Sequence, residues 1–216
     1  YDEVVLATGI VPRKLDLPGI DHPKVLNYLD VLRDKKPVGK TVAVIGAGGI
    51  GFDTSEFLTH QGTSPSLDIN LYLKEWGIDG TLQNRGGLAA EGGHNPASPR
   101  KIYLLQRKTS KVGDGLGKTT GWIHRTGLKN RQVNMLAGVS YQKIDDAGLH
   151  IRIGDQDTLL AVDNIIICAG QEPLRDLQQS LQAAGLPVHL IGGAFEAREL
   201  DAKHAIQQGM ELAATI

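Results

Sequence analysis

Cysteine is almost missing from this sequence: one, Cys168, stands among 216 residues. A single cysteine excludes an intrachain disulfide framework, a CxxC redox pair and a zinc or iron–sulfur site built from four thiolates. No apolar run approaches the roughly 18 residues of a membrane-spanning helix. An excess of charge is absent too, since 23 Lys+Arg face 24 Asp+Glu for a formal net charge of −1. Nothing in that balance favours nucleic acid or an anionic membrane as partner. The start lacks a methionine, a polar tail and a secretory signal, and Tyr1 leads straight into a strand-like run. We therefore expect a piece of a longer, soluble, cytoplasmic polypeptide, of a length that suits one or two domains.

Glycine is what the sequence has in abundance, 27 residues of it, and glycine gathers where backbone turns tightly or approaches a ligand. Along the chain, Val4-Val5-Leu6 reads as a buried strand that enters the turn Ala7-Thr8-Gly9. Pro12, Pro18 and Pro23 mark an extended connection, and Asn27 to Asp34 is a short amphipathic stretch. Thr41-Val42-Ala43-Val44-Ile45 is a β-branched strand, followed by helical spacing from Ile50 to His60. From Thr63 to Arg100 there is little periodicity, and so long a loop points to an insertion with a role at an interface. Ile102 to Leu105 is a second continuous apolar strand, and the glycine-spaced loop Gly113, Gly115, Gly117 leads to a helix expected over Thr119 to Lys129. Short runs at Gln132–Leu136, Val139–Ile144, Leu149–Ile153 and Thr158–Val162 follow, the last two as a hairpin. Asn164–Ala169 is a buried strand ending in Ala169-Gly170; a helix over Leu174–Ala184, a strand over Val188–Ile191 and a helix over Glu199–Ala214 complete the chain. Strands alternating with helices predict an α/β fold with mainly parallel sheet.

Gly46-Ala47-Gly48-Gly49-Ile50-Gly51 is a complete G-x-G-x-x-G between the best strand and a helix, the context that makes it a dinucleotide-binding turn. Gly46 permits the tight turn, Gly48 lets the backbone approach a pyrophosphate, and Gly51 lets helix pack on strand. The helix N-terminus then offers free N–H groups and a positive dipole end to the anion. Two runs compete for the second strand, whose end reads the ribose. Leu67–Leu73 alternates and ends at Lys74-Glu75, which would favour NAD; Ile102–Leu105 ends at Gln106-Arg107-Lys108, which would favour NADP. A central parallel strand reads as continuous apolar residues, so we choose the latter, with Arg107 and Lys108 on the 2′-phosphate.

Gly117-Lys118-Thr119 is not a P-loop, because Gly113 is one residue too close for G-x-x-x-x-G-K-T. Lys118, Thr119 and Thr120 remain candidates beside the dinucleotide, with helix capping the competing role for Thr119. Trp122 and His124 on the following helix are expected as a packed indole and an exposed imidazole. No Tyr-x-x-x-Lys or His-x-x-x-His pair occurs, and Cys168 in its apolar strand reads as a buried, inert thiol. No residue is nominated as catalytic or as a metal ligand.

Three further segments come in the order used by two-dinucleotide flavoproteins. Asp2-Glu3-Val4-Val5-Leu6-Ala7-Thr8-Gly9 resembles the strand that follows the first FAD half, and Ile165-Ile166-Ile167-Cys168-Ala169-Gly170-Gln171-Glu172-Pro173 resembles the strand returning from the NADPH domain. Leu190-Ile191-Gly192-Gly193-Ala194 is similar to the late FAD-contacting segment, with Gly193 where many relatives carry an acid. Val44–Leu58, Glu75–Asp79, Gly86–Gly93, Gln106–Arg125 and Leu200–Gly209 resemble the C-terminal part of bacterial NADPH-dependent 2,4-dienoyl-CoA reductases, iron–sulfur flavoproteins of the old yellow enzyme and trimethylamine dehydrogenase kind.

The resemblance implies an NADP(H)-binding Rossmann-like domain over residues 35–164, with a parallel sheet, helices on one side and a β-hairpin meander. That domain would be inserted in a partial FAD-binding domain made of residues 1–34 and 165–216. Thr8, Gly9, Ala169, Gly170, Gly192 and Gly193 would then belong to an incomplete FAD site. Hydride would pass from NADPH to FAD, and electrons would cross a [4Fe–4S] cluster to FMN, which reduces the dienoyl-CoA ester in unsaturated fatty acid β-oxidation. FMN and the cluster would lie in the N-terminal remainder of the polypeptide, the implied partner, so that this chain alone would not reduce dienoyl-CoA. Two other readings stay open: the same module in an amine dehydrogenase or enoate reductase, and a dinucleotide sensor without catalysis. A disulfide reductase is set aside for want of a second cysteine.

Overall fold

The computed structural model describes residues 1–197 and 202–216. The elements begin with β1 (Val4–Leu6), β2 (Ile10–Pro12), β3 (Val25–Asn27), α1 (Tyr28–Leu32), β4 (Thr41–Ile45) and α2 (Gly49–Thr59). Next come α3 (Ile69–Trp76), β5 (Lys101–Leu105), α4 (Gly121–Asn130), β6 (Asn134–Leu136), β7 (Val139–Asp145), β8 (Gly148–Ile153) and β9 (Gln156–Leu160). The chain ends with β10 (Asn164–Ile167), β11 (Gln171–Pro173), α5 (Gln178–Ala183), β12 (Val188–Leu190) and α6 (Ala202–Ala213). The expected start of the last helix at Glu199 lies outside the described residues.

The chain divides into two compact units, residues 16–168 and a second made of 1–15 with 169–216. In the first, five parallel strands lie in the order β3-β10-β4-β5-β6. β4 sits centrally, with Thr41 opposite Lys101 and Ile45 opposite Leu105. Its apolar run is continuous because both faces are covered. Val42, Val44, Ile102, Leu104 and Ile166 pack with Tyr28 and Val31 of α1, Phe52 and Leu58 of α2 and Leu128 of α4. The alternate residues Ala43, Ile45, Leu105, Ile165 and Ile167 are buried on the opposite face. β7, β8 and β9 form the antiparallel meander. The fold is the α/β class expected, with α1, α2 and α4 against one sheet face.

The unit boundaries differ from the expected 34/35 and 164/165 because hydrogen bonding decides them. β3 pairs with β10 and β10 with β4, so residues 25–27 and 164–167 belong to the five-stranded sheet. In the second unit β1 runs parallel to β12, and β2 pairs antiparallel with β11. β2, β3 and β11 are three-residue strands, too short to carry a sequence pattern. α5 starts at Gln178 rather than Leu174, since residues 171–173 are taken by β11 and the Leu174 amide donates to Gly9 O at 3.0 Å.

Residues 63–100 hold one helix, two short 3₁₀ turns and an isolated bridge between Ile78 and Leu88. The alternating run Leu67–Leu73 is a 3₁₀ turn leading into α3, not a strand. Asp68 caps α3 by accepting from the amides of Asn70 and Leu71, and Gly77 closes it in the left-handed region at φ 64°. Arg131, at the end of α4, donates to Glu75 Oε1 of α3 at 2.9 Å, with both side chains almost wholly buried. The Asp79 carboxylate accepts from the Thr81 hydroxyl and from the amides of Thr81 and Asn84, closing the next turn. Those bonds, the hydroxyl's foremost, hold its pKa down to about 2.

Candidate functional site

The glycine turn lies where β4 hands the chain to α2. Gly46 has φ +108°, which only glycine adopts readily, and its amide donates to Leu105 O at 3.0 Å, hooking the turn onto β5. A Cβ on Gly51 would come within 1.8 Å of Gly46 O, so helix and strand meet there at a distance only hydrogen permits. Gly48 is the N-cap of α2 and supplies no side chain; a Cβ on Gly48 or Gly49 would meet nothing within 4 Å. The first turn of α2 has no acidic residue, so its amides keep their positive end free for an anion. Ala47 and Ile50 pack against the core and contribute only backbone to the turn. These features fit a dinucleotide pyrophosphate: close steric approach where helix must meet strand, and open space where the anion must come near.

The competition for the second strand is resolved, because β5 pairs parallel with β4 in continuous register. Gln106, Arg107 and Lys108 follow it directly, with Arg107 and Lys108 exposed. Three backbone bonds hold this loop to the turn between β6 and β7: Gln106 N to Leu136 O at 2.9 Å, Gly138 N to Lys108 O at 2.9 Å and Val139 N to Gln106 O at 3.0 Å. The Gln106 side-chain amide donates to Lys108 O at 3.0 Å and Ser110 O at 2.8 Å. Among the described residues neither Arg107 nor Lys108 has a carboxylate partner. Burial pushes the Tyr141 hydroxyl up to about 12, and the nearby Arg107 charge pulls it partly back.

Lys118 and Thr119 are exposed in the loop before α4. Thr119 does not cap that helix; Thr120 occupies the cap position, without a side-chain bond. The loop is drawn toward α2 at Gly113, whose Cβ would come 2.5 Å from Phe52 Cζ, and Arg125 donates to Gly113 O at 2.7 Å. Trp122 is 56% exposed, not packed. His124 Nδ1 lies 3.8 Å from the Glu56 carboxylate. Cys168 is buried, its thiol pushed up to about 12 by that burial, beside Thr54.

In the other unit, the Thr8 hydroxyl donates to Leu174 O at 2.5 Å. Gly9 has φ +80° with open space at its Cβ position, and Gly193 approaches Gly9 so closely that a Cβ would come 3.0 Å from Gly9 C. Thr8, Gly9 and Gly193 are thus brought together. Gly192 donates its amide to Gln208 Oε1 at 2.6 Å. Gly170, at φ +96°, faces the Arg13 guanidinium instead, and Ala169 only links it to β10. Arg175, which no motif singles out, donates to Ala194 O at 2.6 Å and to Phe195 O, fixing the turn after Gly193.

A cleft of about 800 Å³ opens between the second half of α2, α3 and α4, lined in part by Phe57, Tyr72, Trp76, Arg100 and Arg131. None of Gly46 to Gly51 lines it, so it is separate from the glycine turn. No helix among the described residues is long and apolar enough to cross a membrane.

Compared with known proteins, residues 1–199 match the family described as pyridine nucleotide-disulphide oxidoreductase. The chain is 27% identical over 206 residues to a metal reductase of Desulforamulus reducens, covering 94% of this chain and 29% of that protein. It is 25% identical over 215 residues to a cinnamate reductase of Clostridium sporogenes, covering 100% of this chain and 26% of that protein. Among solved structures, a 2-naphthoyl-CoA reductase in complex with 2-naphthoyl-CoA superposes over 100% of this chain and 27% of its own, with a TM-score of 0.74 and 21% identity. The chain therefore spans well under a third of the length of these relatives.

Proposed function

Because the chain belongs to the pyridine nucleotide-disulphide oxidoreductase family, a flavin- and NAD(P)-dependent oxidoreductase module, we propose that it takes hydride from NADPH and delivers it to FAD. In this reading it serves a reductase of conjugated acids or their CoA thioesters, of the 2,4-dienoyl-CoA reductase kind. One observation carries the choice of nucleotide: two exposed cations, Arg107 and Lys108, follow the end of β5, without carboxylate partners among the described residues, and no acid stands there. An acid there would hold a ribose 2′-hydroxyl; cations accept a 2′-phosphate. The substrate class draws support from relatives named for cinnamate and for 2-naphthoyl-CoA. Substrate reduction, FMN and an iron–sulfur cluster belong, in this proposal, to the N-terminal remainder of the polypeptide.

The nicotinamide supplies the hydride when bound, and the residues of this chain bind and orient. The amides of Gly48 to Gly51 would hold the pyrophosphate, Arg107 and Lys108 the 2′-phosphate, and Lys118 and Thr119 would flank the nucleotide. Thr8, Gly9, Gly192 and Gly193 would meet part of FAD. One cysteine, buried at Cys168, cannot form the dithiol pair that disulfide reduction needs within this chain.

The test is a titration of the protein and Arg107→Ala with NADPH, NADH and FAD. Loss of one charge-assisted bond is worth about 1.5–3 kcal/mol, so NADPH should weaken by about 10- to 150-fold with NADH little changed. A preference for NADPH that survives the substitution overturns the reading. Turnover of dienoyl-CoA by this chain alone would overturn the assignment of that step to the remainder.

A further inference from the structure

We propose that Gln106 is a positioning residue for nucleotide selection: its side-chain amide closes the loop that presents Arg107 and Lys108, and so fixes the cations that read the 2′-phosphate. The inference rests on the NADPH reading above and adds a residue to it. Gln106 is the first residue after β5, where an acid would stand in an NAD-binding turn. A glutamine there does more than remove a negative charge. Both hydrogens of its Nε2 are used inside the loop, one on Lys108 O at 3.0 Å and one on Ser110 O at 2.8 Å. Both carbonyls only accept, so only the nitrogen of the amide can face them.

The consequence is a loop tied at several points. Lys108 O accepts from the Gln106 side chain and from Gly138 N, which donates at 2.9 Å. Gln106 itself is held through its own N–H and C=O by Leu136 and Val139. Arg107 therefore projects from a segment whose neighbours on both sides are anchored. Two long side chains on a free loop would lose much of their attraction for phosphate to the cost of ordering the loop. Carboxylate at position 106 would reverse both effects, since it lacks the donors and sets an anion against two carbonyls and a phosphate.

Binding of adenosine 2′,5′-bisphosphate, ADP, NADPH and NADH to the protein, Gln106→Met, Gln106→Glu and Arg107→Ala tests this, with Tm measured for each. Gln106→Met keeps the length of the side chain and removes both donors. We expect it to weaken the two 2′-phosphorylated ligands by about tenfold and the other two by less than about twofold, with Tm little changed. Gln106→Glu should lose more and invert the preference. If Gln106→Met lowers all four ligands together, or leaves the ratio between them unmoved while Arg107→Ala collapses it, the positioning role is wrong and the NADPH reading stands. If Arg107→Ala also leaves the ratio unmoved, the NADPH reading fails and this inference fails with it.

Discussion

Gly48 and Gly51 sit three residues apart in one motif, yet the structure gives them opposite duties, and alanine at each separates the two. At Gly51 a Cβ would fall 1.8 Å from Gly46 O and 2.9 Å from Gly46 C. Backbone atoms in a hydrogen-bonded turn cannot step aside, so α2 must move off β4, a cost of about 1–3 kcal/mol by the measure of overpacked cores. Each kcal/mol lowers Tm by about 2–4 °C in a protein of roughly this size. At Gly48 the Cβ would meet nothing within 4 Å, and φ −82° is open to any residue. Gly48→Ala should cost no more than about 1 kcal/mol of stability, the scale of an N-cap change. Its methyl would stand where the proposed pyrophosphate would approach, so NADPH binding should fall at least about tenfold. Calorimetry and fluorescence titration on both variants check this. Full NADPH affinity in Gly48→Ala would show that no pyrophosphate crosses that turn, and an unchanged Tm in Gly51→Ala would refute the close approach of helix and strand.

Three more outcomes follow from the same geometry. Glu75→Ala leaves the buried Arg131 charge unpaired and should destabilise by about 3–5 kcal/mol, read as a lowered urea midpoint; an unmoved midpoint would mean that α3 is not anchored through this pair. Cys168, with its thiol pushed up to about 12, should resist a thiol reagent at pH 8 in the native protein and react at the free-thiol rate only in denaturant. Asp79 is depressed to about 2, so the support it gives the turn of residues 79–84 is complete above the usual carboxylate range, near 4. That support should fade as pH drops from there through about 2. Protection of the Thr81 and Asn84 amides, expressed relative to the intrinsic exchange rate at each pH, should be high at pH 5 and fall near pH 2, and in Asp79→Ala it should be low at both.

The five-stranded sheet was legible where its strands are long enough to carry a pattern. Val42–Ile45 and Ile102–Leu105 are unbroken apolar runs because helices cover one face and most of the other is buried as well. β2, β3 and β11 have three residues each, too few for any period, and only pairing partners more than a hundred residues away make them strands. Residues 67–73 mislead in the other direction. Leu67, Ile69, Leu71 and Leu73 alternate as a strand would, but Asp68 and Gly77 are a helix start and a helix stop, and the capped ends prevailed over the alternation.

The candidate site divides the same way. Glycine turns can be read from letters because their demand is steric and admits one residue type: Gly46 needs positive φ and Gly51 has no room for Cβ. A cation pair after the second strand can be read too, once that strand is known. What letters do not carry is how such a pair is held. The Gln106 amide reaches two carbonyls on its own loop, and Arg175 reaches two beside Gly193. Neither belongs to a motif, since any loop path that brings a carbonyl within reach would serve. In the proposed reading, selectivity for a 2′-phosphate depends on two separable things, the charge at Arg107 and Lys108 and the fixed posture of the loop that bears them. Substituting the cations should then remove the attraction, whereas substituting Gln106 should leave the charge in place and remove the posture.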